Sequence, residues 1–481
     1  MFLVCIVLVG AWAYLAAPSG EKCRAMWLFG LGLVAALIKI GLFQLTPQWR
    51  VIQPDTVSYN LNARAIALHW QGEAVSPLEY KLKGLTGLYE HSEETSRLCA
   101  TSSSPLCLTF RDWYGDASQE TEPPLWRAEH AFSVAHVIGS TDYLYTYYIA
   151  LWFWLTDVTD SVVIFSNAIW AGFFPVAAFG IALALGASRK VALAAGGLAL
   201  IDPSAGAVAA WLLKDTLICF VAMSFVYMAL RVIREGWKWV PWLVFWAALL
   251  SIGRYGAFIG GLCASGAIAV YFIGRRQAQS ASMLAVYMLA ALFLSGIFFQ
   301  SLYSGNELNA ESILASVEKN AHKISIYSDK VRMGTDDTRD GLISQLKAAP
   351  TADVLLVFVK SAVHTLFAPY PWVAIYPGLV GTPSELYYPG VVLWVICLPG
   401  IFWAIWQGVR PARFNPVFGW LLLFLFSQFM AYTLAFGEWS TRQRVFALPA
   451  FFALAAIGGS DLRNRWRDFR KLKPMLVGKT T

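Results

Sequence analysis

An acidic residue follows a proline at the start of the first long polar segment, QPDTVSYNLNARAIA. Asp55 in this segment can cap a new helix. Tyr59, Ala63 and Ile66 then share one face of that helix. Arg64 points away from this face. A carboxylate at this position can take the proton of a sugar hydroxyl that attacks a lipid-linked donor. The spacing fits an N-cap with no further role equally well, so both interpretations stay open.

Two further pairs of polar residues border apolar runs. Lys214 and Asp215 lie in WLLKDTL, and Arg254 and Tyr255 lie at a tight turn between two apolar runs. Charges near membrane depth are expensive, so they tend to be paired or functional. Each basic side chain can contact a lipid phosphate. Alternatively, it can extend to the membrane surface and have no further role.

A third group of charged residues lies near the carboxyl end, in GEWSTRQR. Arg442 and Arg444 present planar donor groups that suit phosphate or pyrophosphate. Glu438 can orient them or bind a sugar hydroxyl. The alternative is an ion pair that anchors the chain at the interface. His364, in an apolar run further upstream, can donate to phosphate, although a packed histidine without a ligand is the more common case.

The whole chain is too apolar for a water-soluble protein. Of its 481 residues, 57% are hydrophobic and 14% are charged, and the mean hydropathy is +0.54. A soluble enzyme is therefore excluded, and membrane helices of roughly 20 residues each are expected. The apolar runs predict an all-α polytopic membrane protein with about eleven transmembrane helices. They lie at 2–17, 26–45, 162–186, 191–209, 212–232, 239–252, 256–274, 282–300, 388–407, 416–436 and 445–458.

Basic residues mark the connections that we expect to stay in the cytoplasm. They are Lys22, Arg24, Arg189, Lys190, Arg231, Arg234, Lys238, Arg275, Arg276, Arg410 and Arg413. Counting crossings between them predicts a bacterial inner-membrane protein with its N-terminus outside and its C-terminus in the cytoplasm. If only one of the aromatic runs Tyr143–Thr156 and Val354–Trp372 crossed the membrane, a basic connection would lie outside. We therefore interpret both as interfacial or partly inserted helices on the outer face.

This topology divides the chain into six parts, two of which are long loops on the periplasmic face. The parts are N-terminal transmembrane helices (1–45), a first periplasmic loop with juxtamembrane helices (46–160), a transmembrane core (161–300), a second periplasmic loop (301–387), C-terminal transmembrane helices (388–460) and a basic cytoplasmic tail (461–481). The first loop contains Cys99 and Cys107 in CATSSSPLC. In an oxidising periplasm this short turn predicts a disulfide, and two unpaired thiols are the alternative.

Several kinds of chemistry have no support in the sequence. It contains no GxxxxGK[ST], HExxH or GxSxG motif, which disfavours ATP hydrolysis and metalloprotease chemistry. No zinc-like spacing occurs, so we expect no cofactor, although the sequence leaves a divalent metal open. The basic residues are accounted for by membrane topology, which makes nucleic acid a poor candidate partner.

In layout, the sequence resembles the polytopic GT-C glycosyltransferases, which include protein O-mannosyltransferases and lipid A aminoarabinose transferases. The resemblance rests on the acidic residue in PDTVSY, the aromatic run YLYTYYIALWF and the pair Lys214-Asp215, and it spans residues 26–300. Two later segments, FAPYPW and EWSTRQRVFALP, look like those of bacterial membrane proteins associated with exopolysaccharide synthesis. The family often has two adjacent acids in the first loop, whereas Thr56 follows Asp55 here. This departure argues against a metal held by paired carboxylates.

The resemblance implies a glycosyltransferase that moves a sugar from a polyprenyl-phosphate-linked donor to a cell-envelope acceptor on the periplasmic face. Asp55 is then the catalytic base. The expected substrate-binding residues are Tyr59, Arg64, Lys214, Asp215, Arg254, Tyr255, His364, Glu438, Arg442 and Arg444. Expected partners are the lipid-linked donor, a glycan, lipid or protein acceptor, membrane lipid and polysaccharide-assembly proteins.

Two other functions remain as alternatives. A polysaccharide polymerase or O-antigen-type ligase also joins lipid-linked glycans on the outer face. It would place its essential residues in 301–387 and at Arg442 and Arg444, and it would not need Asp55. A glycolipid flippase or a non-catalytic export subunit would show transport or partner binding without turnover.

Overall fold

The computed structural model describes residues 1–45, 59, 63, 67, 70, 71, 143–156, 160–210, 214–302, 355, 356, 359, 362, 363, 366, 388–410, 414–436 and 444–477. Within these ranges all regular secondary structure is helical. The helices are α1 (Phe2–Ala16), α2 (Lys22–Leu45), α3 (Tyr143–Thr156), α4 (Asp160–Gly172), α5 (Phe174–Ala184), α6 (Arg189–Ile201), α7 (Pro203–Ala209), α8 (Asp215–Glu235), α9 (Val240–Gly253), α10 (Tyr255–Gly274), α11 (Ala278–Leu302), α12 (Tyr388–Gly408), α13 (Pro416–Phe436) and α14 (Leu448–Val477). Most of the two predicted periplasmic loops lies outside the described residues.

The chain is a multi-pass membrane protein. In the described ranges, eight helical stretches are long and apolar enough to cross a membrane, or nine if the bent pair α6 and α7 forms one span. Helix α1 and the stretch Trp237–Gly253 are apolar but shorter. At 1.5 Å per residue, such lengths fall short of the roughly 30 Å hydrocarbon core unless the bilayer thins locally. Each of the predicted apolar runs overlaps a helix, while the number of eleven crossings stays a prediction.

The run 191–209, predicted as one helix, forms the two helices α6 and α7, which are bent by 45° relative to each other. The bend falls at Asp202, whose backbone has φ −58° and ψ 120°. Pro203 follows, and its ring disfavours helical backbone at the preceding residue and removes one main-chain donor. The Asp202 carboxylate then caps α7 by accepting from the amide of Ala205 at 3.2 Å.

Close helix contacts depend on glycines in two places. Helices α2 and α4 meet where a Cβ on Gly32 would collide with the carbonyl oxygen of Gly172. Helices α12 and α14 meet where a Cβ on Gly400 would lie 2.5 Å from the carbonyl oxygen of Ala455. Lipid tails are as apolar as leucine, so helices in a membrane associate largely through such close backbone packing.

The basic connections gather at one end of the bundle, which we call the basic end. Arg189 pairs with Glu21 at 2.7 Å and so joins the start of α6 to the turn before α2. Arg231 binds Glu235 through two hydrogen bonds of 2.8 Å and also donates to the main-chain oxygen of Ala16. Arg234 donates to the oxygen of Leu183 at 2.8 Å. Because consecutive helices alternate in direction, the bend between α6 and α7, the start of α8 and Arg254 lie at the opposite end.

Helix α3 has the bounds predicted from its aromatic run, and it is not among the candidate spans of the described residues. Its Tyr145 donates to the Asn167 side chain at 3.3 Å, and Tyr148 donates to Ser166 at 2.6 Å. Trp154 on the same helix is exposed. One face of α3 therefore packs on α4 and another is free for lipid, which fits a partly inserted helix. Whether α3 and the stretch 354–372 cross the membrane stays a prediction.

Candidate functional site

Two pairs of charged side chains and one further arginine lie toward the end of the bundle opposite the basic end, and we call them the charged cluster. They are Lys39, Asp202, Asp215, Arg254 and Arg444. The three residues Asp202, Asp215 and Arg444 are only 2–3% exposed. Charges inside an apolar bundle are expensive, so they mark a functional site by default.

Asp215 and Arg254 form the first pair of the cluster. Asp215 opens α8, where a carboxylate is favoured by the positive end of the helix dipole. Arg254 occupies the tight turn between α9 and α10, and its Nη1 lies 4.0 Å from Asp215 Oδ1. The guanidinium also stacks on the rings of Phe446, at 4.4 Å, and Tyr432, at 5.3 Å. The two rings therefore hold the Arg254 cation at this end of the bundle.

Arg444 lies immediately before the short 3₁₀ turn Val445–Ala447, which leads into α14. Its guanidinium covers the ring of Trp394 on α12 at 4.5 Å. Its Nη1 donates a long hydrogen bond of 3.4 Å to the carbonyl oxygen of Leu366, which also accepts from Trp394 Nε1 at 2.9 Å. Since Phe446 follows Arg444 by two residues and stacks on Arg254, both guanidinium groups are fixed by one short stretch of chain.

Asp202 and Lys39 form the second pair of the cluster, at the bend between α6 and α7. Lys39 Nζ donates to the main-chain oxygens of Leu200, at 2.9 Å, and Asp202, at 2.7 Å. The carbonyl of Leu200 is available because the helix breaks before its usual partner, the amide of Ser204. The ammonium group also attracts the Asp202 carboxylate. The Lys39 ammonium group therefore donates to the carbonyls at the helix break and also balances the charge of the buried Asp202 carboxylate.

A narrow cavity of about 10 Å³, enough for roughly one water molecule, lies between Asp202 and Arg444. Its lining residues are Asp202, Ser204, Gly390, Val391, Trp394, Arg444, Leu448 and Phe452. A buried carboxylate, a hydroxyl, a guanidinium and an indole ring thus line one space. In the charged cluster, three cations stand against two carboxylates, so its formal charge suits an anion such as a phosphate.

The structure brings three predicted site residues, Asp215, Arg254 and Arg444, into this cluster. Lys214 lies next to Asp215 and is partly exposed. Tyr255 follows Arg254 and is 39% exposed. The remaining predicted residues, except Tyr59, lie outside the described residues, and they are Asp55, Arg64, His364, Glu438, Arg442, Cys99 and Cys107.

Tyr59 is helical and buried, as are Ala63 and Ala67, so the predicted face of the Asp55 helix is confirmed at its first two positions. The Tyr59 ring contacts that of Tyr145 edge to face at 5.2 Å. Tyr145 in turn bonds Asn167, whose side chain donates to the oxygen of Ala209 at 3.2 Å. This chain of contacts joins the helix that follows Asp55 to the end of the bundle that carries the charged cluster.

Lys39, Asp202 and Trp394 were not among the residues predicted from the sequence. The first two carry a usable signal, since each is a charge inside an apolar run, in ALIKIGLF and LALIDPSAG. The Asp-Pro step also indicates a helix break. Trp394 carries no such signal, because interfacial tryptophans are common in any membrane protein.

The described residues contain no group of three or more His, Cys, Asp or Glu side chains that could hold a metal ion. The cysteines in this part of the chain are free thiols, and they are Cys5, Cys23, Cys219, Cys263 and Cys397. Models of known protein families and the sequences of curated proteins give no match to the chain. The fold and the site thus define a multi-pass, all-helical membrane protein with a buried charged cluster at one end.

Proposed function

We propose that the protein is a membrane glycosyltransferase of the inner membrane that moves a sugar from a polyprenyl-phosphate-linked donor to a cell-envelope acceptor. The observation that supports this most is Arg444, a guanidinium buried in an apolar bundle beside a cavity at the predicted periplasmic end. A lipid phosphate presented from within the membrane is the anion that such a position can reach. The acceptor can be a glycan, a lipid or a protein, and polysaccharide-assembly proteins are natural partners.

In the proposed reaction, an acceptor hydroxyl oxygen attacks C1 of the sugar. The bond between C1 and the phosphate oxygen breaks, and the hydroxyl proton passes to the carboxylate of Asp55. Polyprenyl phosphate leaves with both electrons of the broken bond, and its added charge is stabilised by Arg444 and Arg254. Phosphate is a good leaving group, so the protein mainly orients two substrates and supplies one base.

The other predicted residues have supporting roles in this proposal. Tyr59 contacts Tyr145 and so positions the helix that we predict to begin at Asp55. Asp215 holds Arg254 in place. The further candidates for contacts with donor and acceptor are Arg64, Lys214, Tyr255, His364, Glu438 and Arg442.

The anion site is tested by substituting Arg444→Gln and comparing it with Arg410→Gln. Both arginines stack on a tryptophan, but Arg410 lies 5.3 Å from Trp406 on an exposed connection at the basic end. The reconstituted proteins are incubated with radiolabelled polyprenyl-phosphate and polyprenyl-diphosphate sugars and cell-envelope acceptors. We expect Arg444→Gln to lower the rate about 100-fold, the usual effect of removing one charge-stabilising donor, and Arg410→Gln to leave it unchanged.

Three outcomes would contradict the proposal. Turnover that is equal in the Arg444→Gln protein and the wild type would remove the anion site from the reaction. Glycan chain growth from diphosphate donors only would assign the protein to the polymerases or ligases. Transport of a lipid-linked glycan without any turnover would instead indicate a flippase or an export subunit.

A further inference from the structure

Helix α14 is longer than a membrane crossing needs. It runs from Leu448 to Val477, and its 30 residues span about 45 Å, whereas the hydrocarbon core of a bilayer is about 30 Å thick. It begins shortly after Arg444 of the charged cluster, so its second half emerges at the basic end. The first charged residue of the helix is Asp461. The turns that follow therefore lie at the level of the lipid headgroups on the predicted cytoplasmic face.

One side of these turns is held against α12. Asp461 accepts a hydrogen bond of 2.6 Å from the indole nitrogen of Trp403, and Arg465 Nε lies 3.5 Å from the same carboxylate oxygen. The Arg465 guanidinium also stacks on the Trp403 ring at 4.9 Å. These contacts fix the rotation of α14 about its axis at the point where the helix leaves the hydrocarbon core.

The opposite side of the same turns carries two arginines around a tryptophan. Arg463, Trp466 and Arg467 occupy positions i, i+3 and i+4 and so share one face of the helix, and we call them the α14 stripe. All three are exposed, Trp466 to 58%. Because successive residues are turned by about 100°, this face lies opposite Arg465 and α12. The helix continues, and the sequence places Arg470 at position i+7 of the same face.

An exposed indole between two guanidinium groups suits a lipid headgroup. Tryptophan is enriched at the membrane surface, where one side of its ring is wet and the other apolar. Guanidinium groups bind phosphate through paired hydrogen bonds. The distance from Asp461 to Arg467 along the helix is about 9 Å, which is close to the roughly 5–8 Å thickness of one headgroup layer. The arginines of the stripe can therefore reach lipid phosphates while Trp466 stays at the edge of the hydrocarbon core.

We propose that the α14 stripe is a binding site for an anionic phospholipid of the cytoplasmic leaflet, with Arg463 and Arg467 on the phosphate and Trp466 beside the glycerol backbone. Anionic lipids give this leaflet a negative surface potential, which attracts basic segments next to a transmembrane helix. The site does not depend on the proposed glycosyltransferase activity. It follows from the length of α14, its fixed rotation against α12 and the side chains on its exposed face.

The test measures lipid selectivity by native mass spectrometry. The delipidated full-length protein in detergent is titrated with phosphatidylglycerol and, as a neutral reference, with phosphatidylcholine of the same acyl chains. We expect the wild type to bind the first phosphatidylglycerol about 30-fold more tightly, because each of the two arginines contributes about 1 kcal/mol, or about fivefold. Arg463→Gln/Arg467→Gln should therefore remove most of this preference. Arg463→Lys/Arg467→Lys keeps both charges and should keep most of it.

Arg275→Gln/Arg276→Gln is the matched control, because these two arginines are also exposed at the basic end, between α10 and α11. This variant loses the same charge and should keep the preference for phosphatidylglycerol. Equal losses in the two glutamine variants would show that only the overall charge of the basic end matters, and the proposal would be wrong. Equal binding of the two lipids by the wild type would also overturn it.

Two competitors separate a lipid from other anionic ligands. Glycerol 1-phosphate has the phosphate without acyl chains, and a short DNA duplex presents phosphates on a macromolecule. Neither should displace phosphatidylglycerol at equal concentration, because only the lipid also fills the apolar side of Trp466. Displacement by glycerol 1-phosphate would assign the stripe to a soluble phosphate, and displacement by the duplex would assign it to nucleic acid. Either result would overturn the proposal.

Discussion

Substituting Lys39→Met should destabilise the protein by about 2–4 kcal/mol. The ammonium group donates to the main-chain oxygens of Leu200 and Asp202, at 2.9 and 2.7 Å. Removing it leaves both carbonyls without this donor. A buried acceptor that loses its partner costs about 1–3 kcal/mol, so two such losses total about 2–6 kcal/mol. Because both bonds are only partly buried, we expect the lower half of that range.

The measurement is equilibrium unfolding of the purified protein by SDS in lipid–detergent micelles, followed by helix content. Lys22→Met is the control on the same helix, since among the described residues the Lys22 ammonium group stacks only on the Tyr14 ring, at 4.5 Å. Stacking of this kind is worth about 0.5–1 kcal/mol when exposed. Equal losses for the two substitutions would refute the argument that Lys39 stabilises the broken helix.

A double substitution separates the backbone role of Lys39 from its attraction to the Asp202 carboxylate. In an Asp202→Asn background the cap is kept and the charge is lost. The loss caused by Lys39→Met should then be smaller by about 0.5–3 kcal/mol, the usual coupling between residues in contact. Strict additivity would show that the two charges do not interact.

Two further substitutions test the packing of the bundle. Arg231→Met should lower the free energy of unfolding by about 2–4 kcal/mol, because it removes the paired hydrogen bonds to Glu235 and the bond between α8 and Ala16. SDS unfolding measures this loss, and a change below about 0.5 kcal/mol would contradict the prediction. Gly458→Leu should prevent α14 from approaching α12, since even a Cβ at this position would collide with the oxygen of Gly400. The expected result is loss of folded protein in size-exclusion chromatography. A normal yield with a normal unfolding midpoint would contradict this prediction.

The helices of this fold were largely predictable, because a run of apolar residues long enough to cross a bilayer has few other interpretations. The aromatic run Tyr143–Thr156 even gave the bounds of α3. The bend at Asp202 was missed because the apolar run continues on both sides of it. A hydropathy average over many residues does not detect a single Asp-Pro pair, although this pair disfavours helical backbone at Asp202.

The candidate site was predictable only in part. Asp215, Arg254 and Arg444 stood out as charges near the ends of apolar runs, and the structure places them in one cluster. Their convergence could not be derived from the sequence, because α8, α10 and α14 are far apart in the chain and no periodicity records which helices are neighbours. Lys39 was overlooked although it obeys the same rule, that an intramembrane charge marks a partner or a function.

Glycosyl transfer is tested most directly by the release of polyprenyl phosphate from a polyprenyl-monophosphate sugar by the reconstituted wild type and by Asp55→Asn. The wild type should release polyprenyl phosphate and transfer the sugar to a cell-envelope acceptor. Asp55→Asn should lose activity by about 100-fold or more, because the acceptor hydroxyl then loses its base. Full activity in Asp55→Asn, or growth of a glycan chain from diphosphate donors instead, would rule out a glycosyltransferase with Asp55 as its base.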